Sequence, residues 1–211
     1  MTKYIEPNFR SSAVITIDTQ CDTLDGQSLE ISGTSTALPK IRMVLDAYRR
    51  KRMPIVHIVR IYRRDGSNAD LCRKEAIEKG AQILLERSAG CEPAAALFHS
   101  NVSLDSELLM SGGIQEISNH EVIIYKPRWG AFYNTPLESH LKKLEIDTLV
   151  FVGCNFPNCP RTSIYEASER DYRIVLVEDA VSGLYPKGKE EMTTIGVHVT
   201  DAETMRRSMD T

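Results

Sequence analysis

The sequence predicts an α/β fold, a three-layer α/β/α sandwich with a mainly parallel central sheet. Three observations carry this expectation. Short runs of apolar and β-branched residues recur at 13–17, 54–59, 122–125, 148–152, 174–177 and, more weakly, 196–199. Being apolar on successive residues, they suit strands covered on both faces. Segments of helical periodicity lie between them, and such alternation implies right-handed crossovers that put helices on both sides of one sheet.

Taken in order, the first strand, 13–17, delivers Asp18 at its carboxyl end. Leu38, Ile41, Val44, Leu45 and Tyr48 then recur at helical spacing and end in Arg49-Arg50-Lys51-Arg52, a charge run favourable at a helix C-terminus. The strand at 54–59 contains His57 and leads to Arg60. Residues 61–119 read as an excursion, with turns at Arg63-Arg64-Asp65-Gly66 and Ser88-Ala89-Gly90-Cys91, one helix, a small strand near 83–85 and a closing loop at Ser111-Gly112-Gly113. Strand 122–125 delivers Lys126. Pro136, Leu137, His140, Leu141 and Leu144 then form a helix with Thr135 as its cap and Pro136 in its first turn. Strand 148–152 runs into Gly153-Cys154-Asn155-Phe156-Pro157-Asn158-Cys159-Pro160, and further helices follow at 162–170 and 189–195. Proline suits the first helical position and pushes its predecessor out of the α region, so Cys159 is the expected cap. A thiol there sits in the positive field of a helix N-terminus, which favours thiolate.

The 211 residues, 42% hydrophobic and 26% charged, are ordinary for one soluble globular domain, expected to span 1–211. A net charge of -3 offers no basic footprint for nucleic acid or an anionic membrane, so a small molecule is the expected partner. Five cysteines without a paired CxxC fit a reducing cytosol better than a disulfide framework or a zinc site. No cleavable leader and no membrane-length apolar run is visible, so the chain is expected to be cytoplasmic and unprocessed.

Ligands of such folds bind outside the carboxyl ends of the strands. Three strand ends therefore direct an acid, Asp18, an amine, Lys126, and a thiol, Cys159, toward one cleft. A carboxylate can take the thiol proton, while an ammonium holds the carboxylate and favours thiolate. Each also has an ordinary alternative: a packed thiol, a helix-capping acid, a solvated lysine.

With those residues in view, the chain resembles the isochorismatase-like cysteine hydrolases, including nicotinamidase, carbamoylsarcosine amidase and ureidoacrylate amidase. Asp18-Thr19-Gln20 resembles the Asp-x-Gln that closes the family's opening strand. Lys126 with Phe132, Thr135 and Leu137 is similar to its Lys-x-x-x-x-x-Phe-x-x-Thr-x-Leu block. Gly153 to Cys159, with Ser163 and Ala167, is similar to its glycine-turn-cysteine-helix block, and Glu178-Asp179-Ala180 to its late acidic pair. The resemblance implies Cys159 as nucleophile, Asp18 as general acid/base and Lys126 as electrostatic partner of both. It also implies a cis peptide between Cys154 and Asn155, an oxyanion hole from the N–H groups of Asn155 and Cys159, and a homo-oligomer, dimer or tetramer. Gln20, Arg60, Trp129, Phe132 and Phe156 are the candidate substrate-binding residues, with core packing the alternative for the aromatics.

Two departures narrow the expectation. A nicotinamidase-like metal set needs several ligands after the second strand, whereas His57 has no second histidine nearby and reads as a core residue, so no metal and no cofactor is expected. True isochorismatases lack the nucleophilic thiol. The sequence points to a metal-independent cysteine hydrolase that cleaves an amide or ureido bond through a thioester. An esterase on the same site, or an idle binding or scaffold protein, are the alternatives.

Overall fold

A computed structural model describes residues 2–209; Met1, Asp210 and Thr211, part of the expected domain, lie outside the described residues. The chain is α/β, with a seven-stranded sheet of order β3-β4-β2-β1-β5-β6-β7. The strands are β1 (Ser12–Ile17), β2 (Ile55–Val59), β3 (Ile114–Ser118), β4 (Glu121–Tyr125), β5 (Thr148–Gly153), β6 (Arg173–Val181) and β7 (His198–Thr200). All pairings are parallel except β3 with β4. The helices are α1 (Thr34–Lys51), α2 (Leu71–Glu78), α3 (Ser106–Met110), α4 (Leu137–Lys143), α5 (Cys159–Ser168), α6 (Pro186–Thr194) and α7 (Ala202–Ser208).

Alternate residues of each strand enter opposite cores. Ile15 and Ile17 join Phe151, Leu137, Leu141, Ile164 and Met192 beneath α4, α5 and α6. Val14 joins Val150, Ile41, Val44, Leu45, Tyr48 and Met205 beneath α1 and α7. This explains why the strands read as uninterrupted apolar runs: both faces are covered.

Three expectations are corrected here. The small strand near 83–85 reduces to an isolated bridge between Tyr62 and Leu85, because this stretch packs on its own small cluster with Ile77 and Ala69. Strand β3 lies just beyond the expected Gly112-Gly113 loop. It is a partly exposed edge, so it lacks the apolar run that revealed the other strands. The cap of α5 is Asn158, and Cys159 is its first residue. One residue of offset also occurs at α4, where Pro136 holds the cap position while Thr135 Oγ1 still accepts the Leu137 N–H.

The sheet order positions the site. The chain moves outward from β1 through β2 to β4, then returns to the other side of β1 with β5, so a topological switch lies between β1 and β5. Gly153 ends β5 at φ 114°, and a Cβ there would lie 2.3 Å from the Ile17 carbonyl oxygen. Only glycine lets the two strand ends lie this close.

Candidate active site

Ladder hydrogen bonds hold the three strand ends in register. The Asp18 N–H donates to the Ile58 carbonyl (2.9 Å), that of Lys126 to Val59 (3.0 Å) and that of Cys154 to Ile17 (2.9 Å). Asp18 sits in the left-handed region at φ 45°, which aspartate tolerates better than most residues. The segment after Lys126 is fastened to α5: the Ala131 N–H donates to Ser163 Oγ, which itself donates to the Cys159 carbonyl, and the Phe132 N–H donates to Glu166 Oε2. Gly130 leaves room at this seam for the Glu166 carboxylate, which a Cβ there would approach to 2.2 Å and displace.

These constraints bring the acid, amine and thiol into contact. Lys126 Nζ lies 2.9 Å from Asp18 Oδ2 and donates to Cys159 Sγ at 3.3 Å and to the Arg128 carbonyl at 3.0 Å. All three residues are buried, yet they line one cleft of about 40 Å³. Asp18 Oδ1 is buried without a hydrogen-bond partner, so one oxygen stays available to a proton.

Burial and then the Asp18 charge push the Cys159 thiol well above its ordinary range, with Lys126 opposing them. The resting thiol is therefore protonated, and the helix-terminus argument for a thiolate is outweighed by desolvation. Burial opposes the charge on Lys126, but the Asp18 carboxylate and Cys159 sulfur hold its ammonium above the ordinary lysine value.

The Cys154–Asn155 peptide bond is cis. Among the described residues neither the Asn155 nor the Cys159 backbone N–H donates to a protein acceptor. Asn155 and Cys159 both line the cleft.

A family model for the isochorismatase domain matches residues 106–204. A solved isochorismatase family protein from Desulfovibrio vulgaris superposes with a TM-score of 0.80 at 26% identity, over 95% of this chain and 99% of that one. The fold is therefore the isochorismatase-like α/β fold, with the isochorismatase domain matched over the chain's C-terminal half. A protein of Arabidopsis thaliana described as a probable inactive nicotinamidase is 25% identical over 183 residues, 85% of this chain and 84% of that protein. A ureidoacrylate amidohydrolase of Agrobacterium fabrum is 26% identical over 201 residues, 88% of this chain and 82% of that protein.

The other sequence candidates divide. Trp129 lines the cleft. Gln20 does not: its amide donates to the Arg60 and Cys91 carbonyls and its oxygen accepts the Arg60 N–H, so it fastens two loops and has no group left for a substrate. Phe132 packs against Tyr172 in the core, and Phe156 is fully buried against Gly188 and Tyr185. Arg60 does line the cleft, but not as a carboxylate clamp. Its Nη1 donates to Tyr125 Oη and the Lys126 carbonyl, and its Nη2 to the Asn68 carbonyl and Asp70 Oδ2. The paired N–H groups of a bidentate fork are thus already engaged.

His57 is a satisfied core residue. Its Nδ1 lies 2.8 Å from Thr16 Oγ1 and its Nε2 2.8 Å from Glu121 Oε1. Burial pushes Glu121 up, but hydrogen bonds from His57 and Arg49 hold its carboxyl down at about 2. Among the described residues no group of three or more His, Cys, Asp or Glu side chains is placed to hold a metal ion, and no helix is long and apolar enough to cross a membrane. The sequence reading missed Asp70, Tyr62, Arg73 and Asn158, which also line the cleft. Three of them belong to the 61–119 excursion, and no periodicity marked them.

The buried thiols make stability sensitive to alkali. Burial pushes Cys91 and Cys154 up to about 12. Both remain protonated in the fold while unfolded thiols ionise above about pH 8.5. A raised folded value contributes stability that is complete below the unfolded pKa and lost as pH rises toward the folded one. Urea unfolding between pH 9 and pH 10 is expected to show a fall of about 1.4 kcal/mol per thiol. Cys154→Ala should lower stability at both pH values but flatten that slope, and an unchanged slope would contradict this account.

Proposed function

We propose that this chain is a cysteine-dependent hydrolase that cleaves a C–N bond in a small amide or ureido compound through a thioester. The observation that carries the proposal is one buried ammonium in contact with both a carboxylate and a thiol. As the thiol moves toward the substrate carbonyl, Asp18 takes its proton, so that sulfur attacks as an anion that never has to persist in the buried site. The oxyanion forms beside the unengaged N–H groups of Asn155 and Cys159, each able to contribute on the order of 3 kcal/mol. Asp18 returns the proton to the departing nitrogen as the C–N bond breaks. Water then attacks the thioester, giving one proton to Asp18, which passes it to the departing sulfur as the acid is released. Lys126 keeps the carboxylate in place throughout.

The same geometry accepts an ester, and the Arabidopsis relative's description keeps an idle binding or scaffold role in view. Ammonia release from a panel of small primary amides and ureido compounds, beside alcohol release from matched esters, decides among them. We expect ammonia release that depends on Cys159 and is lost in Cys159→Ala. No turnover of any amide or ester in the panel would establish the idle reading. The proposal includes a homo-oligomer, which sedimentation tests directly.

A further inference from the structure

We infer that Asp70, with Arg60, selects the end of the substrate remote from the scissile bond, and that this end is a nitrogen group donating hydrogen bonds rather than a carboxylate. This rests on the hydrolase reading of the same cleft. Asp70 precedes α2 but its side chain does not cap that helix. It turns instead so that Oδ2 accepts from Tyr62 Oη (2.7 Å) and Arg60 Nη2 (3.1 Å). Oδ1 is buried and accepts no hydrogen bond, although Asp70 is only 7% exposed. Arg128 Nε lies 3.9 Å from Oδ1, beyond hydrogen-bond reach, on a side chain 48% exposed.

Arg60 is 3% exposed and has the complementary deficit. Four of its N–H groups are spent on protein acceptors, while Nε has no partner. Buried polar atoms without partners are rare because each forfeits its hydration. The two residues that carry this lone acceptor and this lone donor both line the cleft that holds Cys159. A second amide or a ureido group satisfies both, and an ammonium satisfies Oδ1. A carboxylate would face the Asp70 charge without a free guanidinium fork to offset it. Arg73 and Arg128 also line the cleft, and a carboxylate-selective cleft built on them is the competing outcome.

The test uses four-carbon primary amides that differ at the far end: succinamide, 4-aminobutanamide, succinamic acid and butyramide. Binding is measured by calorimetry on the Cys159→Ala protein, so that it does not depend on turnover. Hydrolysis is measured separately on the wild type. Succinamide and 4-aminobutanamide are expected to bind at least about tenfold more tightly than succinamic acid. In an Asp70→Asn, Cys159→Ala protein the advantage of 4-aminobutanamide should collapse. With Cys159 intact, Asp70→Asn should raise KM for 4-aminobutanamide more than it raises KM for butyramide. Equal or tighter binding of succinamic acid, or no detectable binding of any of the four, overturns the inference. The wild-type selectivity alone decides it should Asp70→Asn fail to fold. Absence of hydrolysis with the expected binding order would count against the hydrolase reading and leave the subsite standing.

Discussion

Cys159→Ala is expected to lower amide turnover by a factor of about 10⁴ to 10⁶, the scale on which hydrolases lose activity when the nucleophile of a cooperating group is removed. The loss should be confined to chemistry. Cys159 is the first residue of α5, where its carbonyl accepts from Ser163 and its thiol accepts from Lys126. Alanine keeps the backbone contact and leaves only a small cavity, so stability should change by roughly 1 kcal/mol. Cys159→Ser sharpens the experiment, because a hydroxyl can still accept from Lys126 but holds its proton more tightly than a thiol. Serine should therefore fold with near-native stability and still fall by at least about 10³ in kcat/KM. Asp18→Asn separates nucleophile from base: it preserves the shape beside Lys126 but cannot take a proton, and should cost about 10² to 10⁴. Ammonia release and thermal unfolding, measured together, check all three. An active Cys159→Ala protein would remove the sulfur from the mechanism.

How far the sequence reveals this site follows from what the physics writes into local pattern. Strands β1, β2, β4 and β5 are buried on both faces, so burial is recorded residue by residue and the strand ends that carry Asp18 and Lys126 can be read directly. The Gly153-to-Cys159 turn is legible for a related reason, since glycine and proline have narrow backbone roles. Edge strand β3 escaped because partial exposure erases the apolar run. The aromatics misled because Phe132 and Phe156 have the same composition signature whether they face a cleft or a core. Gln20 misled differently: its amide is consumed by partners such as the Cys91 carbonyl, 71 positions away. Arg60 does reach the cleft, but its Nη2 is spent on Asn68 and Asp70, 8 and 10 positions away. Asp70 itself acquires meaning only through contacts of that kind, within an excursion whose small core no periodicity describes.

The protonated thiol changes which step the Asp18 carboxylate serves. If Cys159 rested as a thiolate, Asp18 would be needed only for the leaving nitrogen. In the proposed cycle, burial and the neighbouring carboxylate keep the proton on sulfur, so Asp18 would accept it before or during attack. A single carboxyl then shuttles one proton from sulfur to nitrogen. The arrangement suits poor leaving groups such as amide nitrogen, which must be protonated to depart. The proposed cycle would also make Lys126 indispensable without its ever touching the substrate's reacting bond.

Lys126→Met should therefore be damaging twice over. The side chain is 1% exposed, and its ammonium is the cation in contact with Asp18 Oδ2, while Asp18 Oδ1 already has no hydrogen bond. Removing one partner of a buried pair leaves an uncompensated charge, and about 3–5 kcal/mol of stability should be lost. Activity should fall with it, since the carboxylate loses the contact that positions it and the thiol loses its hydrogen-bond donor. Adding Asp18→Asn to Lys126→Met removes the stranded charge, so the double variant should regain most of the stability and none of the turnover. That opposition separates an electrostatic role from mere packing. If methionine simply packed badly, the second substitution would not restore stability. The pH dependence gives an independent check: because Lys126 is held above its ordinary value, the contribution of the pair is complete below the unfolded lysine pKa of about 10.4 and declines as pH rises beyond it. The stability difference between wild type and Lys126→Met in urea should hold constant from pH 6 to about pH 9 and narrow only in stronger alkali.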